Sequence, residues 1–237
     1  ATDQLGNYNG TATNVNFNTE GKFGFAGAFN GSSSYINTNY TKSGTAFSFS
    51  CWVNLNDTSS RHYIFGDFNS GGSDSSCSAY LQVTAGDDLI LGVGNGSSPT
   101  SSITLIDGMV GHYGVWTHLG ITIIYRNGTP VKTGTFSFSM ANGQNPLALG
   151  IYSTAAGAGE LNGSIDQIRI YDSAISAANV TTLYNEIECP AVAVTNAFNT
   201  VLYTGTGSGL SKTGVGFSPN LVWLKNRDSI SNNQLFD

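Results

Sequence analysis

Asn-Gly dipeptides punctuate the sequence, and this repeated turn signal is the feature that most restricts its fold. They begin at Asn9, Asn30, Asn95, Asn127, Asn142 and Asn162. Asn-Gly readily adopts the two left-handed conformations that a tight hairpin turn requires. Six such signals in 237 residues therefore predict many short antiparallel strands joined by turns.

The segments between the turn signals have the residue pattern of strands. In Phe47–Asn54 every second residue is apolar, which is the period of a strand with one buried face. Leu119–Ile123 and Ser164–Tyr171 are two further apolar strand candidates. The other predicted strands are Ser34–Asn37, Arg61–Phe68, Ala79–Thr84, Leu89–Val93, Val131–Phe138 and Leu147–Ile151. Many short strands at regular spacing predict an antiparallel sandwich or barrel.

One helix is predicted, at Ala177–Glu186. Ser176 is a suitable N-cap, and the helical period places Val180 and either Leu183 or Tyr184 on one face. Because its Thr-Thr pair is unfavourable in a helix, we expect a short helix that depends on packing.

The composition excludes several classes of partner. Charged residues make up 10% of the chain, and 9 Lys and Arg against 15 Asp and Glu give a net charge of −6. Nucleic acids and anionic membrane surfaces both require clustered Lys and Arg, so we expect neither as a partner. Hydrophobic residues reach 40%, which is enough to form a folded core. No apolar run is long enough to span a membrane.

The cysteines are Cys51, Cys77 and Cys189. An odd number leaves at least one free thiol, and no pair has the spacing of zinc ligands. We interpret all of them as structural residues, and the sequence leaves open whether any two form a disulfide.

Four ordered segments resemble the laminin-G-like, concanavalin-A-like jelly-roll domains. They are Glu20–Asn37, Phe47–Asn54, Val115–Ile123 and Leu161–Glu186, the last of which contains the distinctive "GSIDQIRIYDSAIS". The resemblance spans roughly residues 1–188 and implies two curved antiparallel sheets packed face to face. It also implies a glycan-binding or protein-binding module, sometimes calcium-dependent, although some members are enzymes.

The same resemblance implies a calcium site near Asp166. The ligands would be Asp166 with Asp3 or Asn7 of the N-terminal segment, because calcium takes six to eight hard oxygen ligands. The alternative is that Asp166 only pins the N-terminal strand through hydrogen bonds, since a carboxylate beside buried positions needs a partner.

Catalysis is not expected. Glucanases of this superfamily use a Glu-x-Asp-x-x-Glu pattern on a strand, and the sequence has none: its glutamates are Glu20, Glu160, Glu186 and Glu188. Asp87 and Asp88 are adjacent, so on a strand they would point to opposite faces, and a hairpin tip suits them better. The chain therefore lacks the paired carboxylates of a glycosidase.

A glycan site would be built from rings, amides and carboxylates in loops. The candidate residues are His62, Tyr63, Asp67, Asp74, His112 and Tyr113. Ordinary loop and core packing is the alternative for all of them. His118 occupies a position where the family usually has a histidine in a strand, and we interpret it as a hydrogen-bonded sheet histidine. We expect Trp52 and Trp116 to lie in the core.

A second resemblance begins after Cys189-Pro190. The segment Ala197–Asp237, with "GFSPNLVWLKNRD" and "QLFD", resembles a repeat of tailed-phage virion proteins, especially tail-fibre-like proteins of marine and cyanobacterial phages. Its predicted strands are Val201–Thr204 and Leu221–Lys225. The sequence thus predicts a jelly-roll domain at 1–189 and a small β segment at 190–237, which the resemblance makes the start of a larger phage structural unit.

Together the two resemblances imply a structural protein on the virion surface of a tailed phage, of the tail-fibre, appendage or capsid-decoration type. Its expected partners are other virion proteins, further copies of itself and a host-surface glycan. The alternative is a secreted bacterial carbohydrate-binding or adhesion module, which leaves the segment after residue 190 unexplained.

Overall fold

The computed structural model describes residues 6–57, 59–67, 77–95, 100–121, 123–136, 143, 145–152, 159–187, 201–204, 208, 222–225 and 234–236. The chain divides into two compact units, Ala1–Cys189 and Pro190–Asp237. Each unit is described by itself.

The described residues of the first unit form two seven-stranded antiparallel sheets. The first sheet contains, in spatial order, β1 (Thr11–Thr13), β4 (Tyr35–Asn37), β13 (Ala148–Leu149), β6 (His62–Gly66), β7 (Ala79–Val83), β8 (Leu89–Gly94) and β9 (Thr100–Leu105). The second sheet contains β12 (Thr129–Lys132), β11 (Ile124–Arg126), β10 (Thr117–Ile121), β5 (Ser48–Leu55), β14 (Asn162–Tyr171), β3 (Phe25–Asn30) and β2 (Asn16–Glu20). The predicted all-β antiparallel sandwich of the concanavalin-A-like type is confirmed.

The core lies between the sheets and follows from the period-two pattern of the strands. In β5, Phe49, Cys51 and Val53 are fully buried in the main apolar cluster. The alternate residue Trp52 lies on the outer face, opposite His118 of β10. Burying one apolar face of each sheet against the other supplies the main driving force for this architecture.

Helix α1 (Ala177–Tyr184) covers part of the outer face of the second sheet. Ser176 is its N-cap as predicted, and the Ser176 Oγ accepts a hydrogen bond from the Asn179 N–H at 3.2 Å. Val180 is buried near Gly120, and the Tyr184 ring stacks on Trp52 with ring centroids 5.6 Å apart. The helix therefore ends two residues earlier than predicted and buries Trp52 beneath it. No helix in the described part of the chain is long and apolar enough to span a bilayer.

The Asn-Gly signals adopt different structures. Asn127–Gly128 is the expected tight turn, with φ of 51° and 76°, and it joins β11 to β12. Asn30–Gly31 begins a connection that passes from β3 in the second sheet to β4 in the first. The Asn30 Oδ1 accepts hydrogen bonds from the N–H groups of Ser32 and Ser33. The Asn30 side chain therefore stabilises a connection between the two sheets, not a hairpin within one sheet.

Asn162–Gly163 is a strand, not a turn. Both residues belong to β14, where Gly163 pairs with Leu55 and with Phe29. A methyl group at Gly163 would lie 2.4 Å from the Asn54 carbonyl oxygen. Glycine is required here by the close approach of the β5 backbone.

Other strand predictions were incomplete. The turn-rich pattern did not indicate β1, β2, β9 or β11. The predicted strand Val131–Phe138 is wrong at residues 133–136, which follow the end of β12 at Lys132, and residues 137–138 lie outside the described residues. Asp87 and Asp88 lie in the β7–β8 connection, so the predicted hairpin tip is confirmed.

The second unit contains a two-stranded antiparallel sheet. β15 (Val222–Leu224) confirms the strand predicted at Leu221–Lys225. Its partner is β16 (Gln234–Phe236). The strand predicted at Val201–Thr204 is wrong: these residues belong to no described strand, because β15 pairs with β16 instead.

Candidate functional site

One end of the sandwich collects several of the predicted site residues, and we call it the loop end. It consists of the described residues of the β5–β6 connection (56–61), the β7–β8 turn (84–88), the β9–β10 loop (106–116) and the segment 159–161 before β14. The register brings these segments together: Val83 pairs with His62, Leu89 with Leu105, and Leu55 forms a bridge with Tyr113. Loops from both sheets therefore meet at this end.

Asp57 is a fixed, solvent-accessible carboxylate at the loop end. Its Oδ1 accepts hydrogen bonds from the Ser59 N–H at 2.9 Å and the Ser59 hydroxyl at 2.7 Å. Its Oδ2 accepts a hydrogen bond from the Asn162 amide, and the Asn162 Oδ1 accepts one from Asn56 at 2.8 Å. Hydrogen bonds from Ser59 are the largest cause of a lowered pKa at Asp57. The carboxylate is thus ionised at neutral pH and held in place, with 40% of the side chain exposed.

His62 lies beneath Asp57 and is 2% exposed. Its Nδ1 is 2.8 Å from the Glu160 carbonyl oxygen, which can only accept a hydrogen bond, so Nδ1 carries the proton. In the neutral ring Nε2 is then an acceptor. Nε2 is 3.7 Å from the Asp57 Oδ1, and it has no hydrogen-bond partner among the described residues. Nε2 is buried beneath Asp57, and either a bridging water, which has two protons to donate, or a proton on Nε2 would satisfy both atoms.

Tyr113 and His112 lie on the β9–β10 loop of the same end. The Tyr113 hydroxyl donates a hydrogen bond to Asp87 of the β7–β8 turn. The His112 Nδ1 is 3.0 Å from the Thr117 hydroxyl. Burial, with a smaller contribution from Arg126, lowers the pKa of His112, so the ring is neutral at neutral pH. Both rings are partly exposed.

Tyr63 belongs to a different place, the outer face of the first sheet. Its ring contacts those of Tyr80 and Tyr152, with centroids 6.0 and 5.4 Å apart. Tyr80 lies over Gly92, where a methyl group would be 2.0 Å from its ring. Tyr63 and Tyr80 are each 4% exposed. The prediction that Tyr63 shares a site with His112 and Tyr113 is therefore not supported by its position.

Asp67 follows β6 at the opposite end of that strand and is buried, with 2% exposed. Its Oδ1 accepts hydrogen bonds from the N–H groups of Ser78 and Ala79, at 2.8 and 3.1 Å, and its Oδ2 accepts one from the Ser78 hydroxyl. Burial raises its pKa, an effect that these hydrogen bonds and Lys42 oppose. In this geometry the oxygens of Asp67, a predicted glycan ligand, bind the start of β7 instead. Asp74 lies outside the described residues.

Asp166 holds the β2–β3 turn. Its Oδ2 accepts a hydrogen bond from the Phe23 N–H at 2.9 Å, and its Oδ1 accepts one from the Gln167 N–H at 2.7 Å. The described segment that Asp166 anchors is thus the β2–β3 turn, residues 21–24.

A calcium ion does not fit the residues described around Asp166. They supply one carboxylate whose oxygens already accept backbone N–H groups, whereas calcium takes six to eight oxygens. Asn7 precedes Tyr8, whose ring contacts Tyr40 in the connection after β4. Asp3 lies outside the described residues. No group of His, Cys, Asp or Glu in the described part of the chain is arranged to hold a metal.

The sequence did not indicate Asp57, Asn162 or Asp87 as site residues. Asp57 and Asn162 are 105 positions apart and meet only because β14 pairs with β5. Asn162 was interpreted as a turn residue, and its Asn-Gly pair gave no signal of a side-chain contact. Asp57 and Asn162 could be recognised together only by knowing which residues of β14 and β5 are paired.

Comparisons with known proteins agree with this geometry. A family described as the concanavalin A-like lectin/glucanases superfamily matches residues 30–181. A domain of unknown function (DUF7483) matches residues 193–237. Comparison with the curated proteins gave no match.

Solved structures of similar fold include one domain of an arabinanase and the binding domains of two toxins. Domain 4 of AbnA, an extracellular GH43 arabinanase from Geobacillus stearothermophilus in complex with arabinotriose, is 24% identical with a TM-score of 0.58, covering 78% of this chain and 92% of that one. The botulinum neurotoxin type G receptor binding domain is 17% identical with a TM-score of 0.54, covering 75% and 46%. The binding domain of Paraclostridial mosquitocidal protein 1 is 16% identical with a TM-score of 0.59, covering 76% and 48%. The chain spans about half the length of these two toxin domains. These likenesses show the fold.

Since the family model covers more than half of the residues of this chain, the protein belongs to the concanavalin A-like lectin/glucanases superfamily.

Proposed function

We propose that the first unit is a non-catalytic glycan-binding module whose site is the loop end. The observation that carries the proposal is the Asp57 carboxylate, which Ser59 and Asn162 hold in place while 40% of its side chain stays exposed. A sugar hydroxyl is a donor of suitable chemistry for this carboxylate. Asn162 and Ser59 hold Asp57 in place, so little conformational entropy is lost when a ligand binds.

Aromatic surface beside the polar groups supports the same proposal. Tyr113 is fixed by Asp87 and lies next to Leu55, two residues before Asp57. Sugar rings present apolar C–H faces that pack on aromatic rings while their hydroxyls bond with carboxylates and amides. His112 and Tyr113 are the sequence-predicted residues that we place at the glycan surface, because both are partly exposed at the loop end. His62 is buried beneath Asp57, and Tyr63 and Asp67 lie elsewhere.

The absence of a strand-borne Glu-x-Asp-x-x-Glu pattern supports a binding role rather than hydrolysis. We therefore expect no release of reducing ends from β-glucans or bacterial polysaccharides incubated with the protein. Turnover that disappears in Glu160→Gln or Asp57→Asn would contradict this part of the proposal.

For the whole chain we propose a virion surface protein of a tailed phage, on which this module contacts host glycans. The support is the resemblance of Ala197–Asp237 to virion protein repeats. The alternative is a carbohydrate-binding module of a secreted bacterial protein, favoured by the 92% coverage of the arabinanase domain. Quantifying the protein in purified phage particles and in bacterial secretomes distinguishes the two.

A glycan array probed with the full chain tests the binding site. We expect Asp57→Ala to weaken binding about 10- to 100-fold, the loss that follows when a charged group no longer accepts a hydrogen bond. Asp172→Ala, at an exposed residue outside the loop end, is the matched control and should bind normally. Equal binding by both variants, or no glycan bound by the wild type, would overturn the proposal.

A further inference from the structure

His62 and Asp57 are placed so that one proton changes the interaction between them. The His62 Nδ1 donates to the Glu160 carbonyl oxygen at 2.8 Å, so Nε2 is the atom that gains a proton when the ring becomes charged. Nε2 is 3.7 Å from the Asp57 Oδ1. Protonation therefore converts a contact between two acceptors into a charge-assisted ion pair.

Of these two groups, His62 is the one that changes charge near neutral pH. Hydrogen bonds from Ser59 are the largest cause of the lowered pKa of Asp57, so this carboxylate stays ionised from pH 5 to 8. Histidine is the residue type whose charge ordinarily changes in that range. Because His62 is buried, salt screens its interaction with Asp57 only weakly.

The carboxylate of Asp57 is the charged group that responds most directly to His62. The charged side chains in the segments around the ring are Asp57, Arg61, Glu160, Asp87 and Asp88. On the neighbouring strand β7, the partner of His62 is the apolar Val83. Arg61 is exposed. Among the described residues, Asp57 is the acidic side chain that forms an ion-pair contact with His62.

We infer that His62 makes glycan binding at the loop end depend on pH, with weaker binding in acid. The inference rests on the proposed glycan-binding function and concerns the regulation of that same site. A carboxylate accepts about four hydrogen bonds, and the protein donates two to Asp57 from Ser59 and one from Asn162. Protonated Nε2 adds a fourth donor and offsets the negative charge, so a sugar hydroxyl meets a weaker acceptor.

Affinity measured at pH 5 and pH 8 tests the inference. The probe is the neutral glycan that the full chain binds most tightly on the array, because a neutral sugar does not itself titrate. We expect about fivefold weaker binding at pH 5, the difference between hydrogen bonds to a charged and to a neutral acceptor. His62→Gln, which cannot become charged, should bind equally at both pH values.

His112→Gln is the matched control at the same end. Burial is the main cause of the lowered pKa of His112, so we expect this variant to keep the fivefold ratio whatever its affinity.

The charge of His62 can be followed by NMR without glycan. The imidazole 15N shifts of the wild type should show the Nδ1–H form at pH 8 and the doubly protonated ring at pH 5. In Asp57→Asn the ring should require a lower pH to become charged, because the amide does not favour the cation. A ring that keeps one charge from pH 5 to 8, or wild-type affinity that is equal at both pH values, overturns the inference and leaves the glycan site intact. Wild type that binds no glycan at either pH overturns the proposed function itself.

Discussion

Asp166 is a nearly buried carboxylate whose hydrogen bonds connect β14 to the β2–β3 turn. Asp166→Ala should lower the free energy of unfolding by about 1–3 kcal/mol, because the Phe23 N–H would lose its acceptor. Urea unfolding followed by circular dichroism measures the change. Asp172→Ala, on an exposed residue just beyond the same strand, should cost less than about 0.5 kcal/mol. Equal stability of both variants would show that the contact contributes little.

The calcium site that the family resemblance implies at Asp166 can be tested separately. The family resemblance implies an ion at Asp166, whereas the described oxygens there accept backbone N–H groups. A melting temperature that falls on chelation in the wild type, and does not fall in Asp166→Ala, would support the ion, since a ligand bound to the folded state stabilises it. Identical melting with and without chelator would leave the hydrogen bonds as the whole role of Asp166.

His118 is expected to make the free energy of unfolding depend on pH. It is fully buried on the second sheet, and burial, with a smaller contribution from Arg169, lowers its pKa to about 4. The unfolded chain, with a histidine pKa near 6.5, then binds more protons than the folded chain between pH 4 and 6.5. His118 therefore does not lower the free energy of unfolding above pH 6.5. As the pH falls from 6.5 towards 4, protonation of His118 in the unfolded chain lowers the free energy of unfolding by on the order of 2–3 kcal/mol.

His118→Gln isolates this contribution. Asp67 and His112 also have shifted pKa values, but they remain in the variant and cancel in the difference from wild type. The difference in unfolding free energy, measured by urea titration at pH 4 to 7.5, should change across that window. A difference that is constant with pH would mean that the pKa of His118 is the same in the folded and unfolded protein.

At the scale of single elements, helix α1 depends on its cap and on the surface beneath it. Ser176→Ala should destabilise the protein by about 1 kcal/mol, because the Asn179 N–H loses its acceptor at the helix start. Thr182→Ala, at an exposed helix position, should be neutral or slightly stabilising, since alanine is the better helix former. Thermal unfolding of both variants provides the measurement. A Ser176→Ala variant as stable as the Thr182→Ala variant would contradict the assignment of Ser176 as a stabilising N-cap.

The elements also show what the sequence could predict. The period of Phe47–Asn54 indicated β5 and its inner face, because alternation depends only on the local chain. The short edge strands β1 and β2 gave no such pattern, since none of their residues is buried. Asn162 could not be recognised as a site residue because its contact with Asp57 depends on the β14–β5 pairing. Local pattern thus predicts strands and faces, and it fails where a contact is set by register.

The second unit differs from the jelly roll in how little of its described apolar surface is buried. Trp223 on β15 is 66% exposed and Val222 is 37% exposed, while Leu202 is 74% exposed. Burying such a side chain is worth roughly 1.5–3 kcal/mol, and two paired strands cannot supply a core by themselves. Exposed strand edges readily pair with another chain. We therefore expect residues 190–237 to join the protein to an assembly.

Deletion of residues 190–237 tests this division of roles. The first unit has its own two-sheet core, so residues 1–189 should keep a β-type circular dichroism spectrum and the glycan binding of the full chain. The truncated protein should fail to enter phage particles or to form multimers.

Trp223→Ser in the full chain provides the matched variant, because it removes an exposed ring without shortening the chain. We expect it to weaken assembly and leave glycan binding unchanged. Unfolding of residues 1–189, or normal incorporation of both variants into particles, would mean that assembly and glycan binding are not divided between the two units.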